Sequence, residues 1–375
     1  MGGNGTMKFS ITRDALLKPL QNIVGVVERR QTLPVLSNVL LTAKDQQLVL
    51  TTTDTEIEMV ANATIDPVED GSVTVPARKF YDICRALPED AQVEFVLDPE
   101  KQRALIRSGK SRFNLSTLPA DGFPNLEQIK TEFKLTIGQN TFKNLIDKTH
   151  FAMAQQDVRF YLNGLLLEVS DSKVCAVATD GHRLAYCEAE QDVHPDKVIQ
   201  AILPRKGVIE LSKVLADDDT QIEIEMGSNH LRVKHPDITF TSKLVDGKFP
   251  DYKRVIPPET GHEVKADRQL LKQALSRASI LSNEKYRGIR LSISDGLLQA
   301  QAHNPEMEEA EEEIEVDYEG DSLVVGFNVT YLIDAINVIP SDKTRLVFND
   351  ANSSCLLLAD VADSDCKYVV MPMRL

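Results

Sequence analysis

Tryptophan is absent from this 375-residue chain, and aromatic residues make up only 6% of it. A stacking platform for single-stranded nucleic acid needs more aromatic surface than that. Cysteine is scarce: Cys84, Cys175, Cys187, Cys355 and Cys366, with no CxxC pair. That pattern excludes a zinc site and points to reduced thiols in the cytosol rather than to a disulfide framework. No cluster calls for a metal or any other cofactor. No apolar run approaches the roughly 20 residues of a membrane-spanning helix. The opening MGGNGT lacks the basic and apolar regions of a signal peptide. Gly2 and Thr6 fit a myristoylation pattern, but alternation begins only at Met7, so residues 1–6 read as a tag remnant or a disordered extension. A phosphate loop is lacking too: in SGKS, Ser108 to Ser111, Ala104 occupies the position of the first glycine of GxxxxGK[ST].

What is present is repetition. A short strand followed by an amphipathic helix begins at Met7, at Glu132 and at His262. In the first helix Leu16, Leu17, Leu20, Ile23, Val24 and Val27 share one face; in the third repeat Leu271, Ala274, Leu275, Ala278 and Leu281 do. Each helix is followed by two alternating strands with a polar turn, then by a second helix starting near Pro76, Pro204 or Asn328, then by more strands. Phe123-Pro124 and Phe249-Pro250 close the first two repeats as linkers. The expected division is 7–131, 132–261 and 262–375. Each part is an α+β domain with two helices on one face of an antiparallel sheet.

Charge is unevenly distributed. The chain carries −15, which alone argues against a nucleic-acid binder. The six expected helices (12–30, 76–87, 141–154, 204–216, 266–282 and 328–339) together carry +8, leaving −23 for everything else. Only the sixth is acidic. If the helices share a face, that face suits a polyanion. Arg78-Lys79 and Arg205-Lys206 sit at helix starts, where the dipole disfavours a cation and a bound phosphate would offset that. No zinc finger, helix-turn-helix or RNP motif is present, so contacts should be to phosphates and blind to sequence. A second asymmetry lies at the two ends. Glu306, Glu308, Glu309, Glu311 and Glu312 form an acidic strand in the third repeat. Arg107, Lys110 and Arg112 form a basic stretch in the first. Opposite charge at opposite ends suggests head-to-tail association that closes into a ring.

LLKPLQ from Leu16, TLPVLSN from Thr32, VPARKF from Val75, DVRFYLNG from Asp157, ATDGHRLA from Ala178, PRKGVIEL from Pro204, SNEKYRG from Ser282 and the terminal VVMPMRL together resemble the bacterial sliding-clamp family, the β subunit of DNA polymerase III. The resemblance spans Met7 to Leu375. It implies a non-enzymatic cytoplasmic processivity factor: three tandem clamp domains per chain, dimerised head to tail into a six-domain ring around duplex DNA. The partners implied are the polymerase III catalytic subunit, clamp-loader subunits, other DNA polymerases and repair proteins. All would dock a short linear motif in one pocket. Carried onto this sequence, the pocket walls are Leu162, Thr179, Gly181, His182, Arg183 and Leu184 from one segment. Pro250, Arg254, Val255 and Ser354 come from others, and Val369, Met371, Pro372, Met373 and Arg374 from the last. Methionine suits a groove with many partners.

The DNA-lining positions implied by the same match are Arg30, Arg78, Gln155, Gln156, Arg159, Phe160, Tyr161, Arg205 and Lys206. Gln155 and Phe160 stand where the family also uses His and Tyr. At the dimer seam the match points to Phe113, Leu115, Ile280 and Leu281, flanked by the two charged edges.

Two other readings compete. Asp180 beside His182 could serve a hydrolase, although no second acid–base constellation accompanies them. An acidic protein-binding scaffold would keep the pocket and lack the basic face.

Overall fold

The computed structural model describes residues 6–29, 32–126 and 128–375, and leaves the side chains of Pro67 and Val68 undescribed. Arg30 and most of the N-terminal extension therefore lie outside the described residues. Six α-helices are present among those described: α1 (Arg13–Ile23), α2 (Ala77–Ala86), α3 (Gln139–Asp147), α4 (Arg205–Val214), α5 (Arg268–Ser279) and α6 (Val329–Val338).

Local chemistry sets where they start. The Thr12 hydroxyl accepts from the Ala15 N–H, the Asp267 carboxylate from Leu270, and the Asn328 carbonyl from Thr330 and Tyr331. Each satisfies N–H groups that have no intrahelical partner, worth about 1 kcal/mol per cap. Helix α1 is shorter than its apolar period implied. It passes at Val24–Val26 into a 3-10 turn, so Glu28 and Arg29 lie beyond it. The expected core faces hold: Leu16, Leu20 and Ile23 of α1 and Leu271, Ala274, Leu275 and Ala278 of α5 are buried, with Leu17 half-buried.

The strands pair antiparallel throughout, and the chain divides into two compact units, Met1–Asn140 with Ile209–Leu244 and Thr141–Val208 with Val245–Leu375. The first unit contains a five-stranded sheet ending in Ser111–Ser116 as an edge. Its eight-stranded sheet runs from Phe133–Gly138 to Gly71–Pro76. Stacked Phe9 and Phe95, with ring centroids 4.9 Å apart, and Phe80 of α2 edge-on to Phe95 fill its core. The second unit contains an eight-stranded sheet from Ile199–Pro204 to His262–Asp267, and a four-stranded sheet whose edge is Glu309–Glu315.

This corrects the expectation of one sheet per repeat. Each repeat divides its strands between two sheets, and the large sheets run across the repeat boundaries. Ile57–Thr64 of the first repeat pairs with Ile238–Lys243 of the second, Met59 opposite Phe240. Arg183–Glu190 of the second pairs with Cys366–Val370 of the third. Alternation reveals which face of a strand is buried, but not which strand lies beside it.

The expectation of five free thiols is also corrected. Cys187 and Cys366, 179 residues apart, lie opposite each other in that second junction and form a disulfide. Cys84, Cys175 and Cys355 are free and buried. A spacing rule cannot detect a pair that exists only because two repeats share a sheet.

A candidate peptide pocket, a candidate DNA-facing segment and two charged edges

The pocket is built on the junction of Arg183–Glu190 with Cys366–Val370. Leu184 faces Val369 across it. Both are buried, in one apolar cluster with Leu166, Ile202, Phe249 and Tyr252. Beyond the paired residues the Met371 N–H donates to the His182 carbonyl at 3.0 Å, which carries the two strand ends forward together. Met371 is 46% exposed and Val255 45%, so large apolar side chains stand at the surface where the cluster ends. The 3-10 turn Tyr252–Arg254 brings Val255 to its place. The Tyr252 hydroxyl donates to the buried Glu168 carboxylate at 2.7 Å, and the other Glu168 oxygen accepts from Gln200, also at 2.7 Å. Burial and that carboxylate push the Tyr252 phenol well above its usual range, so it stays a donor. Pro250 and Arg254 are exposed on the same turn, Arg254 paired with Asp251 at 2.9 Å.

The loop before Arg183 is a tight turn. The Asp180 carboxylate accepts from the N–H groups of His182 at 2.9 Å and Arg183 at 3.1 Å, and its other oxygen pairs with the Arg183 guanidinium at 3.2 Å. The Thr179 hydroxyl donates to the Arg183 carbonyl at 2.6 Å. Gly181 adopts φ +89°, a backbone conformation that favours glycine, with the Arg159 guanidinium close to its α-carbon. Asp180 thus serves the backbone and Arg183 rather than the His182 ring, so the hydrolase reading finds no oriented pair. Among the described residues no group of three or more His, Cys, Asp or Glu could hold a metal ion.

The remaining wall residues separate. Leu162 is buried at the end of the 3-10 turn Phe160–Leu162, and Ser354 and Pro372 are half-buried. Met373 and Arg374 line a different groove of about 720 Å³, together with Tyr286, Arg290, Gln301 and His303. Sequence reasoning missed this groove. Its available signals were the SNEKYRG motif and the terminal Leu375, which approaches Gly288 and Gly326 so closely that neither could carry a β-carbon without displacement.

The segment 155–161 is an exposed loop held at its base. The Asn163 side chain bonds both the Asp157 N–H and the Asp157 carbonyl. Asp157 grips the Arg159 guanidinium at 2.9–3.0 Å, which holds the carboxyl down to about 2. Gln155, Gln156 and Arg159 are exposed, Phe160 is 72% exposed and Tyr161 is half-buried. Arg205 and Lys206 open α4, half-buried.

Several helix cations have a structural partner as well as a charge. Arg13 of α1 donates to the carbonyls of Cys84 and Arg85 at the end of α2. Lys148 donates to the last carbonyl of α6, Val338, and Arg268 of α5 to Ser341 just beyond it. Arg78 donates to the Val27 carbonyl and Arg205 to that of Met153. A cation at a helix C-terminus is favoured by the dipole and satisfies carbonyls without an intrahelical partner.

Both charged segments are sheet edges. Ser111–Ser116, with Lys110 and Arg112 exposed, ends the five-stranded sheet. Phe113 is half-buried and Leu115, two residues on along the same face, is buried. The SGKS segment is the hairpin into this edge, with Gly109 at φ +56° and Ser108 opposite Ser111. Glu309–Glu315 ends the four-stranded sheet, with Glu306, Glu308, Glu309 and Glu311 exposed. Glu312 is half-buried and pairs with Arg277 of α5 at 2.6 Å, so its charge is met within its own unit. Ile280 is 75% exposed and Leu281 half-buried where α5 ends.

Comparison with known proteins decides the family. The N-terminal, central and C-terminal domain models of the DNA polymerase III beta subunit match residues 7–127, 136–251 and 253–374. The chain belongs to the DNA polymerase III beta-subunit family, the beta sliding clamps. It is 54% identical to the beta sliding clamp of Pseudomonas putida and 50% identical to that of Escherichia coli K12, in each case over 98% of this chain and all of the relative. A crystal structure of the Pseudomonas aeruginosa DNA polymerase sliding clamp with ligand shares its fold at a TM-score of 0.94 and 52% identity, over 98% of this chain and 100% of that one. A further P. aeruginosa sliding clamp was solved bound to griselimycin, at a TM-score of 0.94, 52% identity and coverage of 99% and 100%. The clamp family accounts for the three repeats and for the antiparallel α+β architecture. No helix among the described residues is long and apolar enough to cross a membrane.

Proposed function

We propose that this chain is the processivity clamp of a replicative DNA polymerase: a cytoplasmic, non-catalytic homodimer of three-domain chains that encloses duplex DNA. The domains are 7–131, 132–261 and 262–375. The observation that carries the reading is a family match running unbroken through all three repeats, at 50–54% identity to named clamps.

Two edge strands of opposite charge support the assembly. Each presents unpaired backbone groups on its outer side, and such an edge is a template for another strand. Ser111–Ser116 of one subunit adds to Glu309–Glu315 of the other, with Arg107, Lys110 and Arg112 facing the glutamates. Phe113, Leu115, Ile280 and Leu281 supply the apolar contact. Two such heterologous contacts close a ring.

Arg30, Arg78, Gln155, Gln156, Arg159, Phe160, Tyr161, Arg205 and Lys206 contact phosphates and sugars without reading bases, so binding weakens with salt and permits sliding. The Leu184–Val369 floor, rimmed by Val255 and Met371, takes the apolar residues of a short partner motif. The polymerase catalytic subunit, clamp-loader subunits, other polymerases and repair proteins compete for it. Solution scattering with sedimentation tests the assembly. The reading expects a dimeric mass and an envelope with a central opening; a monomer at micromolar concentration, or a filled envelope, contradicts it.

A further inference from the structure

We infer that Cys187 and Cys366 form a thiol–disulfide site that staples the central repeat to the C-terminal repeat and reacts with low-molecular-weight disulfides such as oxidised glutathione. The two residues face each other in register, the last of five pairs that run from Arg183 opposite Val370 to Cys187 opposite Cys366. Their Cα atoms are 4.0 Å apart. No other two cysteines of the chain are paired. Burial suppresses the remaining thiols: it pushes Cys84 up to about 12 and raises Cys175 and Cys355 as well.

The pair is asymmetric in access. Cys187 is fully buried, whereas Cys366 is half-buried at the start of its strand, beyond the exposed turn 361–363. That asymmetry orders the chemistry. The Cys366 thiolate attacks one sulfur of oxidised glutathione, forming a mixed disulfide and releasing one glutathione thiolate. Cys187 then loses its proton and attacks the Cys366 sulfur, and a second glutathione thiolate leaves. Two protein thiols are oxidised to one disulfide, and one glutathione disulfide is reduced to two thiols. In a reducing compartment the same steps run backward, and a disulfide there is typically transient and redox-sensing.

The location gives the reaction a consequence. Arg183–Glu190 and Cys366–Val370 are where strands 164–204 meet strands 262–370 within one sheet. Backbone hydrogen bonds flank that junction at both ends, Met371 to His182 at one and Glu188 to Asp365 at the other, and the disulfide lies beside the second. A link across 179 residues removes much of the chain freedom gained when the junction opens.

The test uses the full-length protein in glutathione buffers of graded redox ratio, quenched by alkylation in denaturant and weighed intact. The expected result is five adducts in reduced buffer and three in oxidised buffer, with the missing two mapped to a linked Cys187–Cys366 peptide. Thermal melting should rise by several degrees on oxidation in the unmodified chain and not in Cys366→Ser. Hydrogen exchange at residues 183–187 and 366–370 should slow in the oxidised form. Five adducts under all ratios, a different linkage, or a linked pair with unchanged melting and exchange would each overturn the inference. None of these readouts depends on DNA or partner binding.

Discussion

Arg183 reaches Asp334 of α6 at 2.6 Å while its guanidinium lies 4.4 Å over the ring of Tyr331. Its other nitrogens bond Asp180 and the Phe151 carbonyl. One side chain from the central repeat thus engages a helix of the last repeat. Removing it leaves the Asp180 and Asp334 carboxylates, 15% and 32% exposed, and the Phe151 carbonyl without this partner. Arg183→Ala is expected to destabilise the chain by about 2–3 kcal/mol, read as a lower urea midpoint. In a double-mutant cycle with Asp334→Asn the double variant should lose less than the sum of the two single losses. Full additivity would mean that the pair is not coupled.

Tyr252 is the anchor of the turn that carries Pro250, Arg254 and Val255. Tyr252→Phe deletes the donor to Glu168 and leaves one buried carboxylate oxygen short of a partner. A cost of about 1–2 kcal/mol is expected, together with weaker binding of a partner peptide. Unchanged peptide affinity would show that the turn does not shape the pocket.

Met371 and Met373 stand two residues apart in the terminal segment. Met371 follows the strand that carries Val369 and donates its N–H to the His182 carbonyl, and Met373 lines the groove with Tyr286. Met371→Ala should weaken a motif peptide by roughly tenfold, in keeping with the 1–3 kcal/mol of a buried apolar anchor. Met373→Ala should act on residues flanking the motif. Calorimetry with short and extended peptides separates the two, and dimer mass should stay constant in both variants.

The repeat and its helices were legible because apolar period and charge are local. Thr12 and Asn328, where two of the expected helices begin, cap α1 and α6 in the structure, and Asp267 caps α5. The charged stretches were legible as edges in kind, since Lys110, Arg112 and Glu309 stand where no neighbouring strand covers them. The junctions were not legible. Nothing near Met59 points to Phe240, and nothing near Cys187 points to Cys366, because pairing between repeats is set by three-dimensional packing. The basic-helix argument was legible only as a sum of charges. It could not show that Arg13, Lys148 and Arg268 serve carbonyls at the ends of neighbouring helices.

Glu225 supplies a pH dependence. Lys234 at 2.6 Å and Lys134 at 3.2 Å hold its carboxyl down to about 2, from an ordinary value of 4.5. A depressed folded-state value means that the contribution is complete above the unfolded value and is lost as pH falls from about 4.5 toward 2. Both lysines are about half exposed, so solvent screening reduces the effect to roughly 1–2 kcal/mol. Glu225→Gln should flatten the fall in stability across that window, costing roughly 1–2 kcal/mol at neutral pH and little near pH 2. An unchanged acid profile would remove Glu225 as its source.

Under the proposed edge pairing, reversal of Arg107, Lys110 and Arg112 to Glu would set like charges opposite the Glu309–Glu315 edge. The expected outcome is a shift from dimer to monomer at low micromolar concentration, measured by sedimentation. A stable dimer would exclude pairing of these edges.

Enclosure without chemistry is tested most directly by retention on DNA of different topology. After loading onto nicked circular duplex, the protein should remain bound through a high-salt wash and be released when the circle is cut once. Release from the intact circle at the same rate as from the linear form would contradict a closed ring around the double helix.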